Sequence, residues 1–570
     1  MSSSQNVWVY PENNPVLLEQ IIREFHIHPV TAQIFVSRGF TNLEDIHSFL
    51  YAKLPQLHSP HLLPHMNQAV ERILTARKKR ERVLIYADND VDGMTGGALL
   101  QEFLEKISVP VLCYIPKTNY GDKNFAKDAF TYAKENGCSL LITVDCSIDP
   151  KQRLSKGSNP IDLIITDHHE PTKKPSHKVA TLNPKLIGSQ YPNRDLTGVG
   201  VAFKLAHAIL NAIIDQGELL AQRIDLKDFL DLVALGTIAD MGALLGENRI
   251  LVRYGLQILQ KNQRIGLKKL FHLCGLDLGE ISPIDIALKV APRLNSLGRI
   301  ADPQKGVELL LTKEEKTADR LATELNKYNA ERQKIEKKIA DDVDSILKNH
   351  PEETKERAIV LYSDRWHPGI VPIIASKISR HYHCPAMIIA VEEAFGKGSV
   401  RTIPYFPLIS ILKKQRDLLE NFGGHDYAAG LTIKKERIEE LKKRFVEAAN
   451  QQLKEGDMMK KLKLDARIGF QDLTFHLMES LKLLEPFGNE NPAPLLYADV
   501  KQYRKAKLVG QSHVKMYLKQ EMHLIEGIGF SMADKKETLQ QKEEPFRVVF
   551  TPVVKNFHNK ATIQLHVRDF

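Results

Sequence analysis

The sequence predicts an α/β protein with a parallel-sheet domain, a long connecting helix, a second α/β domain and a small C-terminal β-barrel. Three observations predict this architecture. Short apolar runs alternate with helical segments between residues 83 and 166, a pattern typical of a parallel sheet. No proline occurs between residues 314 and 350. From about residue 461 onward, polar and apolar residues alternate as in antiparallel strands.

The composition describes an ordinary globular protein. The chain has 570 residues, of which 43% are hydrophobic and 26% charged, and one core rarely serves more than ~250–300 residues, so several domains are expected. The net charge of +9 permits a polyanionic partner without requiring one. No secretory signal or membrane-spanning run is evident. Five cysteines without a C-x-x-C pair indicate a cytoplasmic protein lacking disulfides and a thiolate zinc site.

Residues 1–75 are predicted to form an N-terminal helical segment, and the first domain spans residues 76–313. Its first strand, within residues 83–97 (V-L-I-Y-A-D-N-D-V-D-G-M-T-G-G), leads directly into Asp88, Asp90 and Asp92. Glycines and a helical segment follow. Three adjacent carboxylates repel one another unless a cation lies between them. Such a loop alone could equally be a solvated acidic turn.

Two further strands end in similar residues. Residues 139–144 precede Asp145, and residues 162–166 precede Asp167, His168 and His169. Because the carboxyl ends of parallel strands lie along one edge of a sheet, we expect these groups to converge there. A single histidine of this kind is usually a hydrogen-bonded core or surface residue, but beside this cluster we interpret both as site residues.

The following segments extend the candidate site. Residues 226–240 have helical spacing and end at Asp240, which is either a helix-terminal cap or a fourth acidic ligand. Residues 291–299 (A-P-R-L-N-S-L-G-R) are predicted to form a loop that carries Arg293 and Arg299, and arginine matches phosphate geometry.

The predicted connecting helix, residues 314–350, separates the first domain from a second α/β domain at residues 351–455. This domain contains two glycine-rich stretches, residues 396–403 and 423–430, whose exposed N–H groups suit anion binding. The barrel occupies residues 456–570. Residues 501–507 (K-Q-Y-R-K-A-K) form either a solvated edge strand or a face that binds single strands.

The acidic and histidine residues predict a metal-dependent phosphoesterase. Carboxylates with imidazole and no thiolate suit Mn²⁺ or Mg²⁺, and this many carboxylates suit two ions. Two ions stabilise both the attacking and the leaving oxygen of a phosphoryl displacement.

The motifs also resemble a known family. Residues 88–93, 144–145, 167–169 and 236–240 look like the four motifs of the DHH phosphoesterase superfamily. Residues 291–295, 366–369, 398–401, 423–425 and 484–492 are similar to its RecJ branch. That resemblance implies a DHH domain, a long helix, a DHH-associated domain and an OB-fold. It also implies a 5′→3′ exonuclease specific for single-stranded DNA that acts in recombination and repair.

The resemblance assigns roles residue by residue. His169 would act near the scissile phosphate, supported by Asp167. Arg293, Ser399 and Arg401 would hold the 5′ phosphate, with Gly424 and His425 on the DNA backbone. The implied metal ligands are Asp88, Asp90, Asp92, Asp145, His168 and Asp240.

Two departures from the family pattern bear on rate and on binding of the 5′ end. Cys146-Ser147 stands where Asn-Gly is usual, and the segment after Ile115-Pro116 is short and carries Lys117 in place of an arginine.

Other functions stay open on sequence grounds. One alternative is a DHH phosphodiesterase acting on short oligonucleotides or cyclic dinucleotides, and another is a non-catalytic DNA-binding scaffold. The resemblance also implies helicase and single-strand-binding protein as partners, and we expect a monomer that does not contact membranes.

Overall fold

A computed structural model describes residues 6–117, 125–149, 161–171, 179–261, 264–542, 545–557 and 560–570. The chain divides into two compact units. The first combines the N-terminal segment up to Lys53 with the residues from Met459 to the end, and the second comprises Leu54–Met458.

The N-terminal segment contains one strand and three helices: β1 (Val7–Val9), α1 (Pro15–Phe25), α2 (Pro29–Ser37) and α3 (Leu43–Tyr51). Each helix begins at a residue whose side chain caps it. The Asn14 side chain accepts a hydrogen bond from the N–H of Leu17, and the Asn42 side chain accepts one from Asp45. Such caps satisfy N–H groups that have no partner within the helix.

The second unit begins with the DHH-like part of the chain, and its core is a five-stranded parallel sheet in the order β3-β2-β4-β5-β6. Helices cover the sheet, as parallel sheets require. The elements are α4 (Met66–Lys79), β2 (Val83–Ala87), α5 (Val91–Lys106), β3 (Val111–Tyr114), α6 (Phe125–Glu135), β4 (Leu140–Val144), β5 (Asp162–Thr166), β6 (Ala180–Leu182), α7 (Gly198–Asp215), α8 (Leu230–Ala239), α9 (Gly246–Lys261) and α10 (Ile265–Leu273).

Helix α7 is long and apolar enough to cross a membrane by composition alone. Most of it is buried in the core of the unit, where residues such as Val201 and Leu205 pack. Burial in a protein core accounts for its apolar character.

The predicted loop at residues 291–299 is wrong. Residues Pro283–Asp285 (α11), a π-helical turn at Ile286–Val290 and α12 (Ala291–Ile300) form consecutive helical segments. Pro292 lies in the first turn of α12, where its missing N–H costs nothing. Leu294 and Leu297 are fully buried, so packing stabilises a helix despite the proline and glycine that suggested a loop.

Helix α13 (Gln304–Leu311) precedes α14 (Glu315–Asn349), which confirms the connecting helix. The two ends of α14 belong to different cores. Leu321 and Leu325 pack with the parallel-sheet domain, whereas Ile339 and Val343 pack with the second α/β domain. Helix α14 therefore joins the two domains by burying one end in each.

The second α/β domain is a five-stranded mixed sheet in the order β10-β11-β9-β8-β7. Only the β7–β8 pair is parallel among these strands. Its elements are β7 (Ile359–Ser363), α15 (Val371–Tyr382), β8 (Ala386–Glu392), β9 (Phe395–Arg401), α16 (Leu408–Lys414), β10 (Leu419–His425), β11 (Ala428–Lys434) and α17 (Ile438–Gln452).

The C-terminal part of the first unit confirms the predicted barrel-like β domain. Its main strands pair in the order β14-β15-β16-β18-β17, and β17 pairs in turn with β14. β1 pairs in parallel with β12. The elements are β12 (Lys461–Lys463), β13 (Ala466–Arg467), α18 (Phe475–Lys482), β14 (Leu496–Val509), β15 (His513–Gln520), β16 (His523–Gly529), α19 (Lys536–Gln540), β17 (Phe546–Phe557) and β18 (Lys560–Asp569).

Candidate metal centre

Three neighbouring strands of the parallel sheet end at the same edge. Asp88 follows β2, Asp145 follows β4 and Asp167 follows β5. The N–H of each residue continues the sheet pairing: Asp88 donates to the carbonyl of Val144 (3.1 Å), Asp145 to Thr166 (3.0 Å) and Asp167 to Leu182 (3.0 Å). The strand register therefore brings the three carboxylates to one level, as the sequence predicts.

Asp90 and Asp92 lie at the start of α5. The Asp90 side chain caps the helix by accepting a hydrogen bond from the N–H of Gly93 (3.0 Å). A Cβ atom at Gly93 would lie 2.3 Å from the carbonyl oxygen of Asp88, so only glycine allows α5 to begin this close to β2. The turn between strand and helix is thus tight enough to place all three aspartates at the sheet edge.

Asp92 is held by a second helix. Its two carboxylate oxygens accept hydrogen bonds from the N–H groups of Gly198 (2.7 Å) and Val199 (2.8 Å), at the start of α7. A helix N-terminus carries partial positive charge and favours such a carboxylate. These bonds fix the orientation of Asp92 in the site.

His168 lies at the centre of the cluster. Its Nε2 atom is 3.1 Å from Asp145 Oδ1, 3.6 Å from Asp240 Oδ2 and 3.8 Å from Asp92 Oδ2. Asp240 is the C-terminal cap of α8, so it both ends the helix and contributes to the cluster. The predicted acidic and histidine residues therefore converge on one site.

The ligand atoms fall into overlapping groups in which all atoms lie within 4.8 Å of one another. Asp88, Asp90 and Asp145 form one group, and Asp92, His168 and Asp240 form another. A third combines Asp145, His168 and His169. Two adjacent acidic groups of this kind suit two neighbouring divalent cations.

The electrostatics of the cluster also favour cations. Burial and the charge of Asp90 raise the pKa of Asp88 and of Asp92 to about 7. Burial, followed by the charge of Asp92, raises the pKa of Asp145 and Asp240 well above the usual range. These carboxylates destabilise one another when ionised, and a divalent cation would relieve that repulsion.

Two buried atoms in the cluster support this interpretation. Asp145 Oδ1 and His168 Nε2 lack hydrogen-bond partners within the part of the chain that the structure describes. Burial, then the charge of His169, lowers the pKa of His168 to about 3, so its imidazole is neutral, the form that binds metals. Oxygen ligands with one neutral imidazole fit Mn²⁺ or Mg²⁺.

Asp167 has a different environment. Its Oδ1 atom accepts hydrogen bonds from His169 Nδ1 (2.8 Å) and from the N–H groups of His168 (2.8 Å) and His169 (3.1 Å). Burial opposes ionisation of Asp167, but these bonds hold its pKa below the usual range. The same contact overcomes burial and raises the pKa of His169 to about 9. Asp167 therefore orients a protonated His169.

The second α/β domain contacts the site through His425. Its ring lies parallel to that of His169, with centroids 5.6 Å apart and an interplanar angle of 5°. Gly424 adopts φ +139°, and a Cβ there would lie 2.3 Å from the carbonyl oxygen of Ala428. The neighbouring strand pair thus requires glycine before His425.

Ser399 and Arg401 lie on β9 of the same domain. Arg401 Nη1 donates to Ser399 Oγ (2.9 Å) and to the carbonyl of Val400 (2.9 Å). Burial and the charge of Arg299 lower the pKa of Arg401 to about 10. Arg299 donates to the carbonyl of Gly369 (3.0 Å).

The two arginines of helix α12 have different partners. The charge of Asp90 opposes the effect of burial on the pKa of Arg299, and the charge of Arg299 lowers the pKa of Arg401, so Arg299 is close to both. Arg293 donates instead to Asn326 (3.0 Å) and to the carbonyl of Lys289 (2.5 Å). The predicted loop could not indicate that Arg299, rather than Arg293, is the arginine near Asp90 and Arg401.

Of the two departures from the family pattern, the structure describes Cys146-Ser147 but not the whole of the short segment after Pro116. The Cys146 thiol donates to the carbonyl of Tyr86 (3.6 Å), and burial, then the charge of Asp88, raises its pKa. Cys146 is therefore a neutral packing residue beside the cluster. Residues 118–121 of the shortened segment lie outside the described residues.

The predicted single-strand face on β14 carries an aromatic and basic cluster, which we call the barrel platform (Tyr503, Arg504, Lys515 and Tyr517). The Arg504 guanidinium lies 5.3 Å from the ring centroid of Tyr503 and 5.7 Å from that of Tyr517. The ammonium of Lys515 lies 5.5 Å from the Tyr517 centroid. Half of Tyr503 is exposed, so this platform offers the groups that stack on bases.

Comparison with known proteins places these features in a family. Three family models match: the DHH family N-terminal domain at residues 82–237, the DHHA1 domain at 355–455 and the RecJ OB domain at 464–569. The single-stranded-DNA-specific exonuclease RecJ of Bacillus subtilis is 34% identical over all of this chain and 71% of its own length. The chain belongs to the RecJ family.

Other RecJ proteins are also similar to this chain in sequence and in structure. The Escherichia coli RecJ is 28% identical, over 88% of this chain and 89% of its own. The crystal structure of RecJ with Mn²⁺ from Thermus thermophilus has a TM-score of 0.81 and 26% identity, covering 99% of this chain and 79% of that one. A structure of the same protein with Mg²⁺ has a TM-score of 0.73. The RecJ fold therefore extends over essentially the whole chain.

Proposed function

We propose that this chain is a Mn²⁺- or Mg²⁺-dependent exonuclease that degrades single-stranded DNA from the 5′ end. The observation that carries the proposal is the buried cluster in which Asp145 Oδ1 and His168 Nε2 lack partners among the described residues and four carboxyl groups have raised pKa values. RecJ relatives of this specificity, and RecJ structures with either metal, support it.

The proposed metal ligands are the aspartates and the histidine of the Asp88–Asp90–Asp145 and Asp92–His168–Asp240 groups. When bound, two ions supply Lewis-acid stabilisation of the attacking and leaving oxygens in phosphodiester hydrolysis. The residues that would hold them are Asp88, Asp90, Asp92, Asp145, His168 and Asp240.

His169 holds a proton beside the cluster. Asp167 accepts from its Nδ1 and keeps the ring in one orientation, while the stack with His425 limits rotation from the other side. A fixed imidazolium next to the scissile phosphate offsets negative charge in the transition state. His169 is therefore the proposed acid or electrostatic group, and Asp167 its support.

Arg299, Ser399 and Arg401 form the proposed 5′-phosphate site. Arg401 and Ser399 are already hydrogen-bonded to each other, and the neighbouring charges of Arg299 and Arg401 repel, which a phosphate would offset. Gly424 and His425 would contact the following backbone. Arg293 stays in the proposal through the family resemblance alone.

A labelling experiment tests the activity. Two oligonucleotides of one sequence, a single strand and a blunt duplex, carry a label at the 3′ end and are incubated with Mn²⁺. We expect labelled fragments that shorten progressively from the single strand only, and none with Asp90→Ala. Cleavage of both substrates would contradict strand specificity, and equal cleavage by Asp90→Ala would contradict the metal site.

The remaining expectations are broader. We propose a cytoplasmic monomer, consistent with five free cysteines, with domain boundaries near residues 75, 313, 350 and 455. Helicase and single-strand-binding protein are proposed partners on the strength of the resemblance. Co-purification and solution scattering would test partners and oligomeric state.

A further inference from the structure

Lys185 lies beside the metal centre and has no role in the proposed mechanism. It follows β6 through Asn183 and Pro184. The Asn183 side chain accepts a hydrogen bond from the N–H of Lys185 (2.8 Å) and donates one to the carbonyl of His169 (2.9 Å). The backbone of Lys185 is therefore fixed relative to the proposed acid.

The ammonium of Lys185 makes one long ion pair, with Glu170. Its Nζ atom is 3.8 Å from Glu170 Oε1, which exceeds a hydrogen bond, and the Glu170 side chain is 62% exposed. The Lys185 side chain is 20% exposed, but a contact this long to a largely exposed carboxylate is a weak ion pair. A phosphate oxygen, which is also an anion, can therefore replace Glu170 as the partner of Lys185 at little cost.

The charge of Lys185 reaches both sides of the cleft between the two α/β domains. Burial is the largest cause of the shifted pKa values of His168 and Asp240, and Lys185 contributes to each. Lys185 also contributes, after burial and His169, to the lowered pKa of His425. Its ammonium thus lies near the Asp92–His168–Asp240 group and near the second domain.

The proposed 5′-phosphate site has a different position. Arg299 is influenced by Asp90, which belongs to the other ligand group, Asp88–Asp90–Asp145. Arg299 donates to the carbonyl of Gly369 and Arg401 to Ser399, whereas the backbone of Lys185 is tied to His169 through Asn183, so the two sets of positive groups have different neighbours. A strand with its terminal phosphate at Arg299 and Arg401 and its scissile phosphate at the cluster would continue toward Lys185 and His425.

We propose that Lys185 forms a phosphate subsite, binding the phosphodiester that immediately follows the scissile one on its 3′ side. The proposal rests on the proposed exonuclease function and extends it to a further substrate contact. It explains why a lysine is anchored through Asn183 to the residue that carries the proposed acid.

A substrate–variant cycle tests this subsite. One single strand has natural linkages, and a second of the same sequence has a neutral methylphosphonate at the linkage 3′ to the first scissile bond. With wild-type protein, we expect the neutral linkage to lower kcat/KM roughly tenfold, the loss of one charged contact. Lys185→Gln should lose about the same factor on the natural strand and little more on the neutral one.

Two control variants separate the contact from a general effect. Lys185→Arg keeps the charge and should retain most of the discrimination between the two strands. Lys227→Gln changes an exposed lysine outside the site and should behave as the wild type. Mn²⁺ affinity and the thermal midpoint of each variant report on the fold.

The outcomes are distinct. If the losses from Lys185→Gln and from the neutral linkage multiply in full, Lys185 does not bind that phosphodiester and the proposal is overturned. Equal losses on both strands with weakened Mn²⁺ binding would overturn it too, in favour of a structural role. If wild-type protein cleaves neither strand, the exonuclease proposal itself fails.

Discussion

At the residue scale, the candidate metal centre is a concentration of carboxylates that the fold holds in place against repulsion. Hydrogen bonds from the α7 N-terminus to Asp92 and from the backbone to Asp167 compensate two of them. Asp145 Oδ1 has no such compensation among the described residues. Asp145 is therefore a position where a negative charge destabilises the fold without a cation and where a bound cation would relieve that cost.

We expect Asp145→Asn to stabilise the protein in the absence of metal while abolishing activity. The raised pKa of Asp145, due first to burial and then to Asp92, means that its ionised form weakens the folded state. The change should raise the free energy of unfolding measured in EDTA at pH 8. Below about pH 4 the difference should vanish, because the carboxyl is protonated in both states.

Denaturant titrations in EDTA and in Mn²⁺ measure this effect. Mn²⁺ should stabilise the wild type, by linkage, and stabilise Asp145→Asn much less. A variant that is less stable than the wild type in EDTA would show that Asp145 supports the fold rather than the metal.

The two arginines of α12 provide a second test. We expect Arg299→Gln to reduce the preference for a 5′-phosphorylated strand over a 5′-hydroxyl strand by roughly tenfold or more, because it removes one charged contact. Arg293→Gln is the comparison variant: the family resemblance assigns Arg293 to the 5′ phosphate, but its side chain donates to Asn326 and to the carbonyl of Lys289, so we expect the smaller loss there. The ratio of kcat/KM for the two strands is the measurement, and a larger loss in Arg293→Gln would reverse the assignment.

This pair of arginines also marks what sequence can and cannot predict at a site. Five aspartates and both histidines were predictable because neighbouring strand ends in a parallel sheet meet, whereas Asp240 follows a helix and was assigned by the family resemblance. Which of Arg293 and Arg299 faces the site was not predictable. Six positions apart on a helix, at ~100° per residue, they face directions ~120° apart, whereas a loop would have imposed no such separation.

At the element scale, the positions of the proposed metal ligands depend on how closely the helices approach the strand ends. Gly198 begins α7, donates its N–H to Asp92 and leaves no room for a side chain, because a Cβ there would lie 2.6 Å from the Cβ of Asp145. Two proposed ligands thus depend on one residue at a helix N-terminus.

We expect Gly198→Ala to displace Asp145 or α7 and to weaken Mn²⁺ binding by roughly tenfold or more, as changes around metal ligands do. Isothermal calorimetry with Mn²⁺ measures the effect. Gly456→Ala, where nothing lies within 4 Å of an added Cβ, is the control. Unchanged Mn²⁺ affinity in Gly198→Ala would show that the ligands tolerate the shift.

The elements themselves were largely predictable. Buried strands such as β2 and the proline-free α14 follow directly from apolar runs and spacing. Helix α12 was not predicted, because Pro292 and Gly298 are common in loops, and only the tertiary burial of Leu294 and Leu297 shows that the helix continues.

At the scale of the whole molecule, the barrel platform is a candidate DNA-binding surface remote in sequence from the metal centre. We expect Arg504→Ala to weaken binding of a long single strand several-fold and to reduce the slope of log affinity against log salt concentration by up to ~0.7, one phosphate contact. Arg23→Ala, a highly exposed arginine of the same unit, is the control. Fluorescence anisotropy at several salt concentrations measures both the affinity and its salt dependence. An unchanged slope and affinity in Arg504→Ala would show that Arg504 does not contact the DNA.

The order of domains was predictable from sequence, but the partnership of the two chain ends was not. β1 pairs with β12, and Asn6 and Trp8 donate to Asp569. Three apolar residues near the N-terminus carry no information about a partner in the last quarter of the chain, since any exposed strand edge could accept them.

That partnership has a consequence for biosynthesis. The N-terminal strand and helices are translated before the second unit, and their partners in the first unit are translated after it. At ~5–20 residues per second, Leu54–Met458 takes roughly 20–80 s to synthesise. The second unit can fold during that interval, whereas the apolar faces of α1–α3 stay uncovered until the segment from Met459 onward has been made.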